Sequence, residues 1–224
     1  MTREELIKRV ALKMDEISSS DDVIVSVGVE DNNPLYTQIN SLLNECVNDV
    51  LTKAPIYRIQ RFIDTLQIST DGPSPDYKKV DIFGGARYKL VIEVPEEFIR
   101  IASIVDDLFQ RPIVDLAIEG DSVDKMQHNK HLVAKYAKPV AVLGRSDDGG
   151  RAITCYSYKI GDTYNTNIHY VKRYDVSLEL SEDTGLDEYM IDLVSWVCAG
   201  RVFASRGDIN NNKICDENAA ALMV

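Results

Sequence analysis

Residues 33–55 read Asn-Pro-Leu-Tyr-Thr-Gln-Ile-Asn-Ser-Leu-Leu-Asn-Glu-Cys-Val-Asn-Asp-Val-Leu-Thr-Lys-Ala-Pro. Asn33 is placed to cap a helix, and Pro34 suits the first helical position, where a missing N–H does no harm. Tyr36, Ile39, Leu43, Cys46 and Val50 recur at alternating steps of three and four residues. Leu42, Val47 and Leu51 widen the same face. This spacing predicts an amphipathic helix that Pro55 stops.

Upstream, Leu6, Val10, Met14 and Ile17 share helical spacing, with Lys8, Lys13, Asp15 and Glu16 on other faces. A first helix is therefore expected over Arg3–Ile17, broken by the polar run 18–22. Val23 to Val29 is short and β-branched, and reads equally as a strand or an extended connection. Two amphipathic helices on either side of a loop predict an antiparallel pair.

Downstream the period changes. Phe62, Leu66 and Ile68 suggest an extended run before the turn-forming residues 71–75. Tyr88, Leu90, Ile92 and Val94 alternate with Lys89, Val91 and Glu93, which predicts a strand ended by Pro95. Glu96-Glu97-Phe98 reads as one helical turn, and Ile99 to Val105 as a return to extended chain. After Arg111-Pro112, the spacing of Val114, Ile118, Val123 and Met126 predicts a partly helical stretch reaching Tyr136. A short strand at 139–143 and a turn at 146–150 follow. Ile153, Cys155 and Tyr158, then Ile168, Tyr170 and Tyr174, predict a hairpin across Gly161-Asp162.

A third helix starts near Gly185-Leu186-Asp187. Leu186, Tyr189, Met190, Leu193, Val197 and Val202 form its main apolar face, and Val194, Cys198 and Phe203 carry that face further round. A helix apolar over so much of its circumference is covered on several sides. Gly207-Asp208 and Asn210 to Asn212 end it, and Asp216 caps a short apolar helix or tail. The fold class expected is α+β: a helical bundle base, made of two N-terminal helices plus a C-terminal helix, with a β-rich insertion. Residues 1–58 and 184–224 form the helical core, and 59–183 the insertion.

The chain has 224 residues with 36 acidic against 25 basic side chains, a net charge of -11. Such acidity repels nucleic acid, whereas a specific DNA-binding surface carries a basic stripe. The opening MTREELIKRVALKMDE is charged and amphipathic and lacks the apolar core of a signal peptide, so use in a cytosol-like compartment is expected. Cys46, Cys155, Cys198 and Cys215 are scattered, with no CxxC pair, and read as free core residues.

No catalytic, cofactor or metal constellation emerges. His128 and His131 lack a carboxylate pair at suitable spacing and read as surface histidines. Asp208, Asn210 and Asn212 match the first half of a calcium loop, but Lys213 stands at its sixth position and Ala219 at its twelfth. The pairs Gly84-Gly85 and Gly149-Gly150 lack the Lys-Ser/Thr of a phosphate loop. Acidic runs such as Glu96-Glu97 and Glu179 to Asp183 read as solvated surface, which leaves a hydrolase with an acidic pair the weakest reading. Arg111 presents its guanidinium on an extended dipeptide, either to a neighbouring subunit's carboxylate or to its own core edge.

Three stretches resemble the head-to-tail adaptor proteins of tailed bacteriophages, also called connector or ring proteins, in the style of crAss-like phages. They are Asn33-Pro34-Leu35-Tyr36 opening a helix that runs to Ala54-Pro55-Ile56, the segment Val94-Pro95-Glu96-Glu97-Phe98-Ile99-Arg100, and Leu186 to Phe203. The resemblance implies a structural virion protein and not an enzyme. It implies a homo-oligomeric ring, usually of twelve subunits, beneath the portal protein at the capsid vertex. That ring is assembled in the host cytoplasm, meets tail or other ring proteins, and extends a channel that DNA passes through without specific binding. Membrane contact and cofactors have no place in this reading. Interface residues expected on it are Arg111, Val194, Phe203, Ile214, Leu222 and Met223. The apolar end at 219–223 either docks on a partner or folds onto its own domain. The alternative is a β-rich ligand- or polysaccharide-binding module using Tyr156, Tyr158, Tyr164, Tyr170 and Tyr174.

Overall fold

The helix read from residues 33–55 is present as α2, Pro34–Lys53. It belongs to a computed structural model that describes residues 1–17, 34–69, 77–81, 87–129, 131–159, 165–177 and 179–223. The expectations for Asn33, the run 18–22, Val23 to Val29, the turn at 71–75, Gly84-Gly85 and Gly161-Asp162 lie outside those residues. The fold is α+β, with five helices and two sheets among the described residues. The chain divides into two units, Met1–Arg61 with Arg173–Val224, and Phe62–Lys172.

In the first unit α1 spans Arg3–Ile17. Its start is a capping box: Thr2 N–H donates to Glu5 Oε2 at 2.8 Å, and Glu5 N–H donates to Thr2 Oγ1 at 3.2 Å. Leu6, Val10 and Met14 are buried as the spacing requires. α4, Glu188–Ser205, is capped by Asp187, whose side chain accepts from Met190 N–H. It packs against α1, α2 and a further helix, α5, at Ile209–Leu222. Covering on three sides is what its broad apolar surface calls for. Arg201 ties α4 to α2 through Glu45 and Asp49, and Arg9 ties α1 to α4 through Glu188 and Asp192.

α5 corrects the reading of the C-terminal end. Gly207, at φ +78°, breaks α4 in a conformation that glycine adopts without strain. Asp208 then caps the next helix by accepting from Asn211 N–H at 3.1 Å. The half calcium loop is thus the first turn of a helix, and Asp208, not Asp216, is its cap. Cys215 and Ala219 are buried in this unit, so the chain end folds back onto its own helices. At Gly200 of α4 an added Cβ would lie 3.1 Å from Cys215 Cβ and 3.1 Å from Asn212 Oδ1. The two helices meet that closely because position 200 has no side chain.

Residues 173–183 were expected in the insertion, but they belong to the first unit, where Tyr174 and Val176 hydrogen-bond to α2. Asn44 Oδ1 accepts from Val176 N–H, and Asn48 accepts from Tyr174 N–H and donates to Tyr174 C=O. Asn40 Oδ1 accepts from Arg3 Nε at 2.7 Å. Two asparagines one helical turn apart, Asn44 and Asn48, thus pair with the backbone of Tyr174 and Val176, while Asn40 holds Arg3. Arg3 is buried, and donates also to the carbonyls of Asn40, Val176 and Ser177.

Among the described residues the second unit holds eight strands: β1 Ile63–Ser69, β2 Tyr77–Asp81, β3 Arg87–Glu93, β4 Phe98–Asp106, β5 Ala117–Ile118, β6 Ala141–Arg145, β7 Arg151–Lys159 and β8 Asn165–Lys172. One sheet has the order β1-β8-β4, the other β2-β3-β7-β6-β5, with only β5 and β6 parallel. Ile68, Ile104, Ile168 and Tyr170 of the first sheet share a core with Leu90, Ile92, Ile153 and Tyr158 of the second. β7 and β8 therefore do not form the expected hairpin. Each joins a different sheet, and their apolar faces meet across the core. The predicted helical turn at Glu96-Glu97-Phe98 is a tight turn instead, closed by Phe98 N–H donating to Pro95 C=O at 3.0 Å. It leads directly into β4.

Candidate interaction surface

Between β4 and β6 the chain makes an excursion, residues 107–140, that carries the helix α3, Ser122–Gln127. Its orientation is the reverse of what apolar spacing predicts. Asp124 and Gln127 are the buried residues of α3, while Val123 and Met126 point outward. Polar contacts explain the inversion. Asp124 accepts from Gly120 N–H at 2.8 Å and from the Tyr156 hydroxyl at 3.2 Å. Gln127 accepts from Ala134 N–H at 2.8 Å and donates to Val123 C=O. Asp121 caps the helix at Asp124 N–H. Satisfied buried polar groups hold α3 with its apolar side to solvent.

The four apolar residues of the stretch expected to be partly helical are all exposed: Val114 56%, Ile118 69%, Val123 37% and Met126 47%. Val105 and Leu132 add to them. Among the described residues, six of the eleven exposed large hydrophobic side chains fall between Val105 and Leu132, and three more, Ile209, Ile214 and Leu222, lie on α5. Apolar residues exposed singly need no explanation, but here they recur within one stretch of the chain and on one helix.

Beside α3 lies a pocket of about 550 Å³, lined by Val123, Met126, Leu132 and Val140 together with Lys135 and Lys138. His131 also lines it. No carboxylate lines it among the described residues. On a chain of net charge -11 this is an unusual basic setting. His128 caps the end of α3 and His131 lies beyond it, so the two do not share a helix face. Among the described residues no group of three or more His, Cys, Asp or Glu is arranged to hold a metal ion.

The sequence-predicted interface residues separate into three sets. Arg111 is exposed in the loop after β4. Ile214 and Leu222 are exposed on α5, with Met223 half-buried after it. Val194 and Phe203 are 0% and 6% exposed inside their own unit and offer no surface, which corrects their assignment. Their apolar character serves the packing of α4. Tyr156, Tyr158 and Tyr170 are likewise buried, and Tyr164 lies outside the described residues. Tyr174, the remaining member of the group, is half-buried.

Residue reading alone missed the pocket, since Lys135 and Lys138 carry no motif. The signal available was compositional: basic residues next to apolar ones in an otherwise acidic chain. No helix is long and apolar enough to cross a membrane among the described residues. The chain matches no protein-family model, and no curated protein is significantly similar to it.

Proposed function

We propose that this chain is the structural subunit of a virion ring that joins the portal at the capsid vertex to the tail and extends the DNA channel. It acts through contacts and not through catalysis. In this reading the helical unit is the base of the adaptor, and the β-rich unit is the insertion that meets a neighbouring ring or the tail. The observation that carries it is the placement of exposed apolar side chains. They concentrate in two dissimilar places, the α3 excursion and helix α5, which belong to different units. A closed head-to-tail ring needs such a pair, because each subunit offers one surface to one neighbour and a second surface to the other. The resemblance of the Pro34 helix, the Val94–Arg100 segment and the Leu186 helix to phage adaptors supplies the identity of the assembly.

The test follows from α5. Deleting residues 214–224 removes buried Cys215 and Ala219, and so confounds docking with folding. The double variant Ile214→Asp, Leu222→Asp changes only exposed positions. It is expected to keep the wild-type unfolding midpoint while losing assembly, measured by sedimentation velocity and electron microscopy with and without the portal protein. A wild-type protein that stays monomeric at high concentration and beside the portal protein would sink the ring reading.

A further inference from the structure

We infer that the pocket beside α3 is a docking site for an acidic peptide, a segment of a partner protein that presents an apolar side chain next to a carboxylate. Such a site goes beyond the ring reading and does not depend on it. Lys135 and Lys138 face each other across a tight turn, with Lys138 N–H donating to Lys135 C=O at 2.9 Å and Lys135 N–H donating to Lys138 C=O at 3.4 Å. Residues paired in this way stand about 5.5 Å apart at Cα and send their side chains to the same face. Both line the pocket. Like charges set directly opposite each other are destabilising. Neither lysine has a carboxylate partner among the described residues, whereas Lys8, Lys172 and Lys213 each have one. A bound carboxylate relieves that repulsion, at a place set apart from a chain that otherwise carries a net charge of -11.

The apolar part of the pocket is fixed by the fold itself. Gln127 accepts from Ala134 N–H, which ties the end of α3 to the residue before Lys135. Asp124, bonded to Gly120 and Tyr156, turns Val123 and Met126 of the same helix outward. Val123, Met126 and Leu132 thus line the pocket while remaining 37%, 47% and 57% exposed. Walls this open do not enclose a small molecule, whose sites bury about 70–90% of its surface. They suit a side chain inserted from a peptide that crosses the opening. Nucleic acid does not fit, because apolar walls offer its phosphates nothing and the chain as a whole repels them. A short acidic segment meets that repulsion with few charges, whereas a second copy of the chain brings a further net charge of -11.

A library of random peptides about 12 residues long, displayed on yeast and sorted against the full chain, tests the site. Enriched peptides are expected to carry Asp or Glu beside Leu, Met or Phe. The leading peptide, synthesised and titrated by fluorescence anisotropy, is expected to lose about tenfold or more in affinity for the Lys135→Glu, Lys138→Glu protein. It is expected to lose several-fold for Met126→Ser, and several-fold on the wild type when its own carboxylate is replaced by the amide, a test that needs no protein variant. The Lys53→Glu, Lys125→Glu protein makes the same charge change at exposed positions outside the pocket and is expected to bind like the wild type. Unfolding midpoints check that each variant folds. A library with no enrichment, enriched peptides without acidic residues, or a leading peptide indifferent to the lysine swap or to its own amide overturns the inference. Equal loss on the Lys53 and Lys125 control also overturns it, as attraction by charge without a site. Dodecanoate binding that the lysine swap abolishes, with no peptide enriched, assigns the pocket to a small organic anion instead. Wild-type self-association in sedimentation velocity that the lysine swap abolishes assigns it to a second copy, and both of these results overturn the peptide site.

Discussion

The carboxylate of Asp106 lies 3% exposed in a core otherwise made largely of isoleucine, leucine and aromatic rings. Its Oδ2 accepts from Thr166 Oγ1 at 2.6 Å and from the Tyr158 hydroxyl at 3.1 Å, and Oδ1 accepts from Leu108 N–H at 2.8 Å. Burial, with Cys155 and Asp106 nearby, pushes the Tyr158 hydroxyl well above its ordinary value, so it remains a protonated donor. Burying such a group without partners costs far more than the hydrogen bonds return. Thr166→Val and Tyr158→Phe are each expected to destabilise the protein by about 1–3 kcal/mol in urea unfolding, with the shorter Thr166 bond the costlier loss. Losses under about 0.5 kcal/mol for both would show that Asp106 is held by something else. Arg3 follows the same logic among backbone carbonyls and Asn40. Neither residue is legible in the sequence, where Asp106 and Arg3 look like two more surface charges. Nothing in local spacing records a donor 60 residues away, as Thr166 is from Asp106.

Helices were legible to the extent that their signals are local. The ends of α1 and α2 follow from spacing and from prolines, and α4 begins after the cap Asp187, where the apolar pattern starts. The start of α5 was read as a polar turn, with a short helix or tail only from Asp216, because its first turn holds three asparagines, poor helix formers that the Asp208 cap and the packing on α4 overrule. Gly200 is the position on which that packing depends. Gly200→Val is expected to cost about 1–3 kcal/mol by overpacking against Cys215, although valine is the better helix former. The same change should expose α5 to limited proteolysis before the rest of the chain. An unchanged midpoint together with an unchanged cleavage pattern would refute this account of the α4–α5 contact. The reversal of α3 shows the opposite failure. A spacing of apolar residues predicts a face, but buried Asp124 and Gln127 decide which way that face turns.

Over the whole molecule, 36 carboxylates against 25 basic side chains predict that duplex DNA gains no favourable contact. Micromolar protein is expected to leave DNA mobility unchanged in a gel at physiological salt, and a retained band would contradict a channel that DNA slides through. Local spacing and composition by themselves determined the class of the protein: helices at both ends, strands between, an acidic surface and no recognisable catalytic motif. These are readings of neighbours along the chain, each decided within a few residues. Tertiary structure alone decided that β7 and β8 part into different sheets, that Tyr174 and Val176 hydrogen-bond to α2, and that residues 209–222 are a helix on α4. It alone decided which apolar residues are core and which are surface, sending Val194 and Phe203 inward and Val123 and Met126 outward. The physical reason is the same in each case. Burial and strand pairing depend on distant partners, and an apolar side chain has the same hydrophobicity whether its partner is its own core or another chain.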